Sequence, residues 1–299
     1  MHPERTSVMS AHGTPRSGLA ASLAVVTVSY HSQEALEGLI ESLAESGVAP
    51  AATVVVDNAL DDQLELPELA GLRVVPAPGN LGYGGGINLG VRSLPPEVEW
   101  VLVTNPDVRL EADALGTLLR AGADQPTAGA VGPRILQPDG STYPSARELP
   151  SLRTGIGHAL FANLWLGNPW SRRYRGEARA SDGHWRETGW LSGSCQLVRR
   201  SAFDSIDGFD ESYFMYFEDV DLGRRLTQAG WRNLYVPEAV VTHTGAHSTS
   251  GGRAKAMRAE HHRSAYLYLS RKYSAWYLWP LRLTLRAALH VRSRVTNRG

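Results

Sequence analysis

The strongest constraint on this chain is an alternation of short apolar runs with amphipathic or glycine-rich stretches. "LAVVTVSY", "ATVVVDNA", "LRVVPAP" and "WVLVTNPDV" read as strands. Between the first two, "SQEALEGLIESLAES" places Leu36, Leu39, Ile40 and Leu43 on one helical stripe. Short apolar strands separated by helices predict a largely parallel sheet with helices on both faces, an α/β fold. Ligands of such sheets bind beyond the C-terminal ends of the strands. Those ends carry Tyr30, Asp57 and the pair Asn105 and Asp107.

With 299 residues, 42% of them apolar, the chain can bury a full core. Residues 1–20, rich in Ser, Pro and charge, are expected to be disordered. The apolar run from Leu19 to Val28 lacks a small-residue cleavage pattern and reads as a first strand, not a leader. After about residue 130 the pattern loosens, "GWLSGSCQLVRR" and "NLYVPEAVVTHT" reading as two further strands. Cys195 is the single cysteine, so no intrachain disulfide forms, and it reads as a small buried residue rather than a nucleophile. No stretch reaches the roughly 20 apolar residues that cross a bilayer. A cytoplasmic protein, peripheral at the inner face of the plasma membrane, is expected.

Four stretches carry chemistry, each with two readings from its residues alone. In "YFMYFEDVDLGRRL", Glu218, Asp219 and Asp221 follow a run of aromatics. They either open a helix, as the macrodipole favours, or include an acid sheltered for use. Asp221 has Arg224 and Arg225 three and four residues on, which suits helix bracing. "PGNLGYGGGINLG" is either a ligand loop or a tight turn, and it matches neither the P-loop nor the GxGxxG template. "TNPDV" is either an Asn-Pro-Asp turn or a strand-end acid for a hard cation. "VTHTGAHSTSGG" gives His243 and His247 as ligands or as plain loop residues.

Together, "NLGYG", "NPDV", "YPSAR", "GWLSGSC", "FMYFEDVDLG" and "AHST" identify a resemblance over residues 22–250 to the family 2 inverting glycosyltransferases of the GT-A fold. The narrower resemblance is to the rhamnosyltransferases of actinobacterial cell-wall linker synthesis. Those enzymes move L-rhamnose from dTDP-L-rhamnose onto decaprenyl-diphosphoryl-N-acetylglucosamine, a polyprenyl-diphosphate-linked acceptor. The resemblance implies a GT-A domain over 21–250, with a nucleotide-sugar half (21–135) and an acceptor half (136–250). It implies donor contacts from Tyr30, Asp57, Asn80, Gly82, Asn88, Asn105 and Asp107. Asn105 replaces the first acid of the family's Asp-X-Asp. Asp107 and His243, preferred to His247, would hold Mg2+ or Mn2+. Asp219 matches the general base, with Glu218 orienting the acceptor beside Trp190, Ser192 and Gly193. The alternatives kept open are a transferase using a UDP-sugar, a nucleotidyltransferase, and a carbohydrate-binding relative without catalysis.

Formal net charge is zero, yet from Arg253 onward eleven Lys and Arg face one acid, Glu260. This basic segment, 251–299, combines Trp276, Tyr277 and Trp279 with Arg282, Arg286, His290 and Arg294 at four-residue spacing, and with Leu281, Leu285 and Leu289 beside them. That pattern predicts an amphipathic helix on an anionic membrane surface. Packing on the domain is the competing reading, and no nucleic-acid recognition motif accompanies the charge.

Overall fold

Every residue of β1 (Leu23–Ser29) is buried, as expected of a strand covered by helices on both faces. The computed structural model describes residues 22–59, 64–66, 70–151, 185–245 and 252–296, the side chains of 252–255 and 288–296 excepted. After β1 come α1 (Gln33–Glu45), β2 (Ala52–Asp57), the edge strand β3 (Leu72–Pro76), α2 (Gly82–Arg92), β4 (Trp100–Thr104) and β5 (Val108–Leu110). Then follow α3 (Ala114–Asp124), β6 (Ala128–Leu136), β7 (Thr142–Tyr143) and β8 (Ala146–Arg147). Beyond residue 184 lie β9 (Arg186–Thr188), β10 (Trp190–Leu191), β11 (Cys195–Arg199), α4 (Arg200–Asp204), α5 (Glu218–Gln228) and β12 (Arg232–His243). Two helices close the chain, α6 (Gly252–Lys272) and α7 (Trp279–Thr296).

The main sheet runs β3-β2-β1-β4-β11-β6-β12-β5, with β11 antiparallel to β4 and β6, and β5 antiparallel to β12. The other strands of this path point one way, the mostly parallel α/β sheet expected. Because β11 lies between β4 and β6, the expected nucleotide-sugar and acceptor halves share one sheet. Side chains alternate along each strand. Val26, Val54, Val56, Val101 and Val103 meet Ile87 and Val91 of α2 on one face. Leu23, Val25 and Leu102 meet Leu39, Leu43, Leu115 and Leu118 of α1 and α3 on the other. Each such fully buried side chain stabilises the fold by roughly 1.5–3 kcal/mol. Register aligns Ser29 with Asp57 and Thr27 with Thr104, so the strand ends form one rim.

Three expectations change. "PGNLGYGGGINLG" is neither a free loop nor only a turn, since from Gly82 it is helix α2. A Cβ at Gly86 or Gly90 would lie 2.7 or 2.4 Å from Val28 or Val26, so these glycines let the helix sit close on the sheet. "GWLSGSCQLVRR" is two strands, because the Ser192–Ser194 turn, with the Ser194 amide donating to Ser192 Oγ at 3.3 Å, redirects the chain. The basic segment is two helices, and α6 is part of the body. Tyr268 is fully buried, Ser264 Oγ donates to the Met215 carbonyl at 2.8 Å, and Arg271 pairs with Asp210. The expectations for residues 1–20, His247 and the "AHST" stretch lie outside the described residues.

Candidate functional site

Asp57 ends β2 and is buried, its Oδ1 accepting the Ala59 amide at 3.0 Å. Next to it, Asn58 Nδ2 donates to the Gly82 carbonyl at 2.9 Å. Gly82 is itself set by Asn80, whose Oδ1 accepts the Gly82 amide at 3.0 Å. Gly82 has φ +71°, and a Cβ there would lie 2.1 Å from the Phe214 carbonyl oxygen. Only glycine gives both that backbone and that approach. The following amide, Tyr83, donates to the same carbonyl at 3.1 Å. The "NLGYG" stretch is therefore seated against the aromatic run that precedes Glu218. Tyr30, half exposed, packs edge-on to His31 at the β1 end, with ring centroids 4.5 Å apart.

Asn88 sits differently from the other expected donor contacts. Its Nδ2 donates to the Phe209 carbonyl at 2.8 Å and to Glu211 at 3.0 Å, while its Oδ1 accepts the Phe209 amide at 2.9 Å. In the structure it acts by fixing the segment that leads into Tyr213–Phe217.

A second corner forms where β4 and β12 end. Pairing of β12 with β5 sets His243 opposite Val108. His243 Nε2 lies 3.1 Å from Asp107 Oδ1 and 3.4 Å from Asn105 Nδ2. The Asn105 amide donates to the Ser194 carbonyl at 2.9 Å, tying this corner to the β10–β11 turn. A carboxylate oxygen and an imidazole nitrogen converging from two strands suit a divalent cation that completes its shell with water and diphosphate oxygens. Among the described residues no group of three or more His, Cys, Asp or Glu is placed to hold a metal ion, and Asp107 and His243 are the two such side chains that meet at this corner.

The acids of α5 occupy three environments. Asp221 is fully buried and meets Arg224 at 2.7 Å and Arg225 at 2.5 Å, the bracing expected. Asp219 is half-buried. Its Oδ2 accepts the Gly193 amide at 3.0 Å, and its Oδ1 the Val220 amide at 2.8 Å. Burial raises its proton affinity, and the two amides and the Arg147 charge oppose that rise. Glu218 is buried, and among the described residues its Oε2 has no hydrogen-bond partner. Burial first, and the Asp219 charge second, push its pKa up to about 8. Tyr216 and Phe217, just before it, both lie in the left-handed region at φ 67° and 66°. Such backbone costs of order 1–3 kcal/mol per residue and collects at functional sites.

Opposite Asp219, Ser192 and Gly193 line the β10–β11 turn, Ser192 bonding Ser194 Oγ at 3.2 Å. Trp190 is buried beneath, its Nε1 donating to the Glu148 carbonyl at 3.2 Å and its Cβ packed against Gly223 of α5. The structure thus brings Asp219, Glu218, Ser192 and Gly193 to one side, and links them through the Asn105–Ser194 bond to Asp107 and His243. Cys195 is buried at the turn's end, its thiol pushed up to about 12 by burial, which leaves it unreactive.

Two residues gain prominence that sequence reading did not give them. Tyr83 Oη donates to the Gly193 carbonyl at 2.5 Å, joining α2 to the turn that holds Asp219. The Arg147 charge opposes the rise in Asp219 proton affinity that burial brings. Both stand inside the quoted "NLGYG" and "YPSAR" stretches, so a signal was present, but their partners lie far along the chain.

Comparison with known proteins bears on the family and the fold. Residues 20–266 match the family model described as glycosyltransferase like family 2. The chain is 44% identical over 289 residues to the N-acetylglucosaminyl-diphospho-decaprenol L-rhamnosyltransferase of Mycobacterium tuberculosis, covering 93% of each protein. It is 30% identical over 258 residues to rhamnosyltransferase WbbL of Escherichia coli, covering 83% of this chain and 92% of that one. Among solved structures, the mannosyltransferase PcManGT of Pyrobaculum calidifontis, in complex with GDP-Man and Mn2+, superposes with a TM-score of 0.54 at 16% identity. That superposition covers 91% of this chain and 70% of that one. The sheet is therefore that of the GT-A glycosyltransferases, and the chain belongs to glycosyltransferase family 2.

Proposed function

We propose that this chain is a metal-dependent inverting rhamnosyltransferase. It transfers L-rhamnose from dTDP-L-rhamnose to a hydroxyl of polyprenyl-diphosphoryl-N-acetylglucosamine, in synthesis of the linker that carries arabinogalactan. The reading is carried by the 44% identity that extends over 93% of both chains. Asp219 takes the proton of the acceptor hydroxyl while that oxygen bonds to the anomeric carbon of rhamnose. The carbon–oxygen bond to dTDP breaks on the opposite face, so configuration inverts. The Gly193 and Val220 amides keep Asp219 aimed and offset its burial. Asp57 with the Asn80–Gly82 stretch receives the nucleotide. Asp107 and His243 would hold Mg2+ or Mn2+, which supplies charge neutralisation for the departing diphosphate.

A membrane-bound acceptor calls for an enzyme at the lipid surface. Support comes from Trp276, Tyr277, Trp279 and Leu283, which are 82%, 64%, 56% and 54% exposed. Arg282 Nη1 donates to the Tyr273 and Ala275 carbonyls, each at 2.9 Å, which keeps its charge at the junction between α6 and α7. No helix among the described residues is long and apolar enough to cross a membrane. Aromatic insertion at the interface, aided by the basic segment, fits these features.

The test is a transfer assay with synthetic farnesyl-diphosphoryl-N-acetylglucosamine and a panel of dTDP-rhamnose, UDP- and GDP-sugars with magnesium or manganese. Rhamnosylated product with inverted anomeric configuration is expected from dTDP-rhamnose alone. Efficient transfer from a UDP-sugar, with none from dTDP-rhamnose, would overturn the assignment.

A further inference from the structure

The cations around α5 are mostly paired with acids. Arg224 and Arg225 bind Asp221, and Arg271 binds Asp210. Arg147 is different. Its Nε donates to the Pro144 carbonyl at 2.6 Å, and its guanidinium lies 5.5 Å from the ring centroids of both Tyr143 and Trp190. Among the described residues neither Nη group has a hydrogen-bond partner, and no carboxylate forms an ion pair with it. Yet its charge acts on Asp219. A guanidinium between two aromatic rings, its outer fork without a partner among the described residues, is pre-organised for a phosphate.

We propose that Arg147 binds the diphosphate of the acceptor, so that the enzyme recognises the anionic link and not the sugar alone. This rests on the polyprenyl-diphosphate acceptor of the proposed function. The placement favours the acceptor over the donor. Arg147 belongs to the β8–β10 ribbon, where it pairs with Trp190, and that ribbon leads directly into Ser192–Ser194. The donor's diphosphate is assigned to Asp107 and His243, at the ends of β4 and β12. An acceptor whose hydroxyl rests on Asp219 carries its own diphosphate within one sugar ring of that hydroxyl, and Arg147 is a cation whose charge reaches Asp219.

The experiment compares the full-length protein with Arg147→Gln and Arg147→Lys on two acceptors, farnesyl-diphosphoryl-N-acetylglucosamine and neutral octyl N-acetylglucosaminide. Selectivity, the ratio of kcat/KM for the diphosphate acceptor to that for the neutral one, should fall about 10- to 100-fold in Arg147→Gln, mainly through KM. Arg147→Lys, which keeps the charge but not the fork, should fall between. Affinity for dTDP, measured in parallel, reports on the donor site and on folding. Equal losses on both acceptors would make Arg147 a tuner of Asp219, and weakened dTDP binding would make it a donor residue; either overturns the proposal. If the wild type uses neither acceptor, the proposed function falls. Farnesyl diphosphate titrated into dTDP-saturated protein then decides on Arg147 by itself: weaker binding by Arg147→Gln supports the site, and equal binding refutes it.

Discussion

The Asp219 carboxylate and the Gly193 amide, 26 residues apart in sequence, meet in a hydrogen bond of 3.0 Å. Through it, the first turn of α5 is fixed to the turn between β10 and β11. Tyr83 fixes the same turn from the other side, through the Gly193 carbonyl. One residue, Gly193, thus connects the "NLGYG" helix with the acid proposed as general base.

Tyr83→Phe should therefore cost more than a surface hydroxyl. Losing this partly buried bond is expected to lower stability by about 1 kcal/mol and to remove the Tyr83 hydroxyl from the Gly193 carbonyl. Turnover should fall roughly tenfold, the factor that ~1.4 kcal/mol of misplaced geometry produces. Thermal melting and kcat measured on the same preparation check this, and wild-type kcat in the variant would count against the bracing role.

Glu218 gives a pH signature in stability. Its folded-state pKa of about 8 lies above the ordinary value of 4.5, so the folded protein binds the proton more tightly than the unfolded chain. Its contribution is fully present below about pH 4.5 and is lost as pH rises towards 8. Glu218→Gln, neutral at every pH, should remove that loss. The variant should melt higher than wild type at pH 8 by the equivalent of a few kcal/mol at most, with the difference shrinking towards pH 5. A difference independent of pH in calorimetry would argue for an ionised Glu218.

Asp107 and His243 should act together on the donor. Asp107→Ala and His243→Ala are each expected to weaken dTDP binding at least tenfold with magnesium or manganese present, and far less in EDTA. Isothermal titration in both conditions makes the comparison. Unchanged affinity with metal would remove the pair from the cation site.

Trp276 and Trp279 provide the membrane test. Replacing both with Ser should greatly reduce co-sedimentation with vesicles containing anionic lipid while leaving the melting temperature in place, since both side chains lie mainly in solvent. Equal sedimentation of the two proteins would favour the reading in which the segment only packs on its domain.

What could be read from the sequence was local. β1, β2 and β4 appear as Val-rich runs because both of their faces are buried, and Asp57, Asn105 and Asp107 fall at or just past strand ends because the parallel sheet places its rim there. Asp221 with its two arginines was legible for the same reason, being a contact within one helix turn. The rest depends on contacts between distant segments. Nothing near Asn88 indicates that its amide will fasten Phe209 and Glu211. Glycines of α2 resemble a ligand loop until Val26 and Val28 are seen beneath them. The docking of α6 turns on Tyr268 and Ser264, whose partners in 213–217 are fifty residues away or nearly so. A charge count along the tail sees only its basic surplus, not that the Arg282 guanidinium bonds back to the Tyr273 and Ala275 carbonyls.

The central claim is that Asp219 removes the acceptor proton, and Asp219→Asn tests it most directly. Single-turnover transfer from dTDP-rhamnose to the farnesyl-diphosphoryl acceptor should slow by roughly the 10²–10⁴-fold typical of a general base, or more, with dTDP-rhamnose affinity retained. Transfer by Asp219→Asn at the wild-type rate would contradict the account.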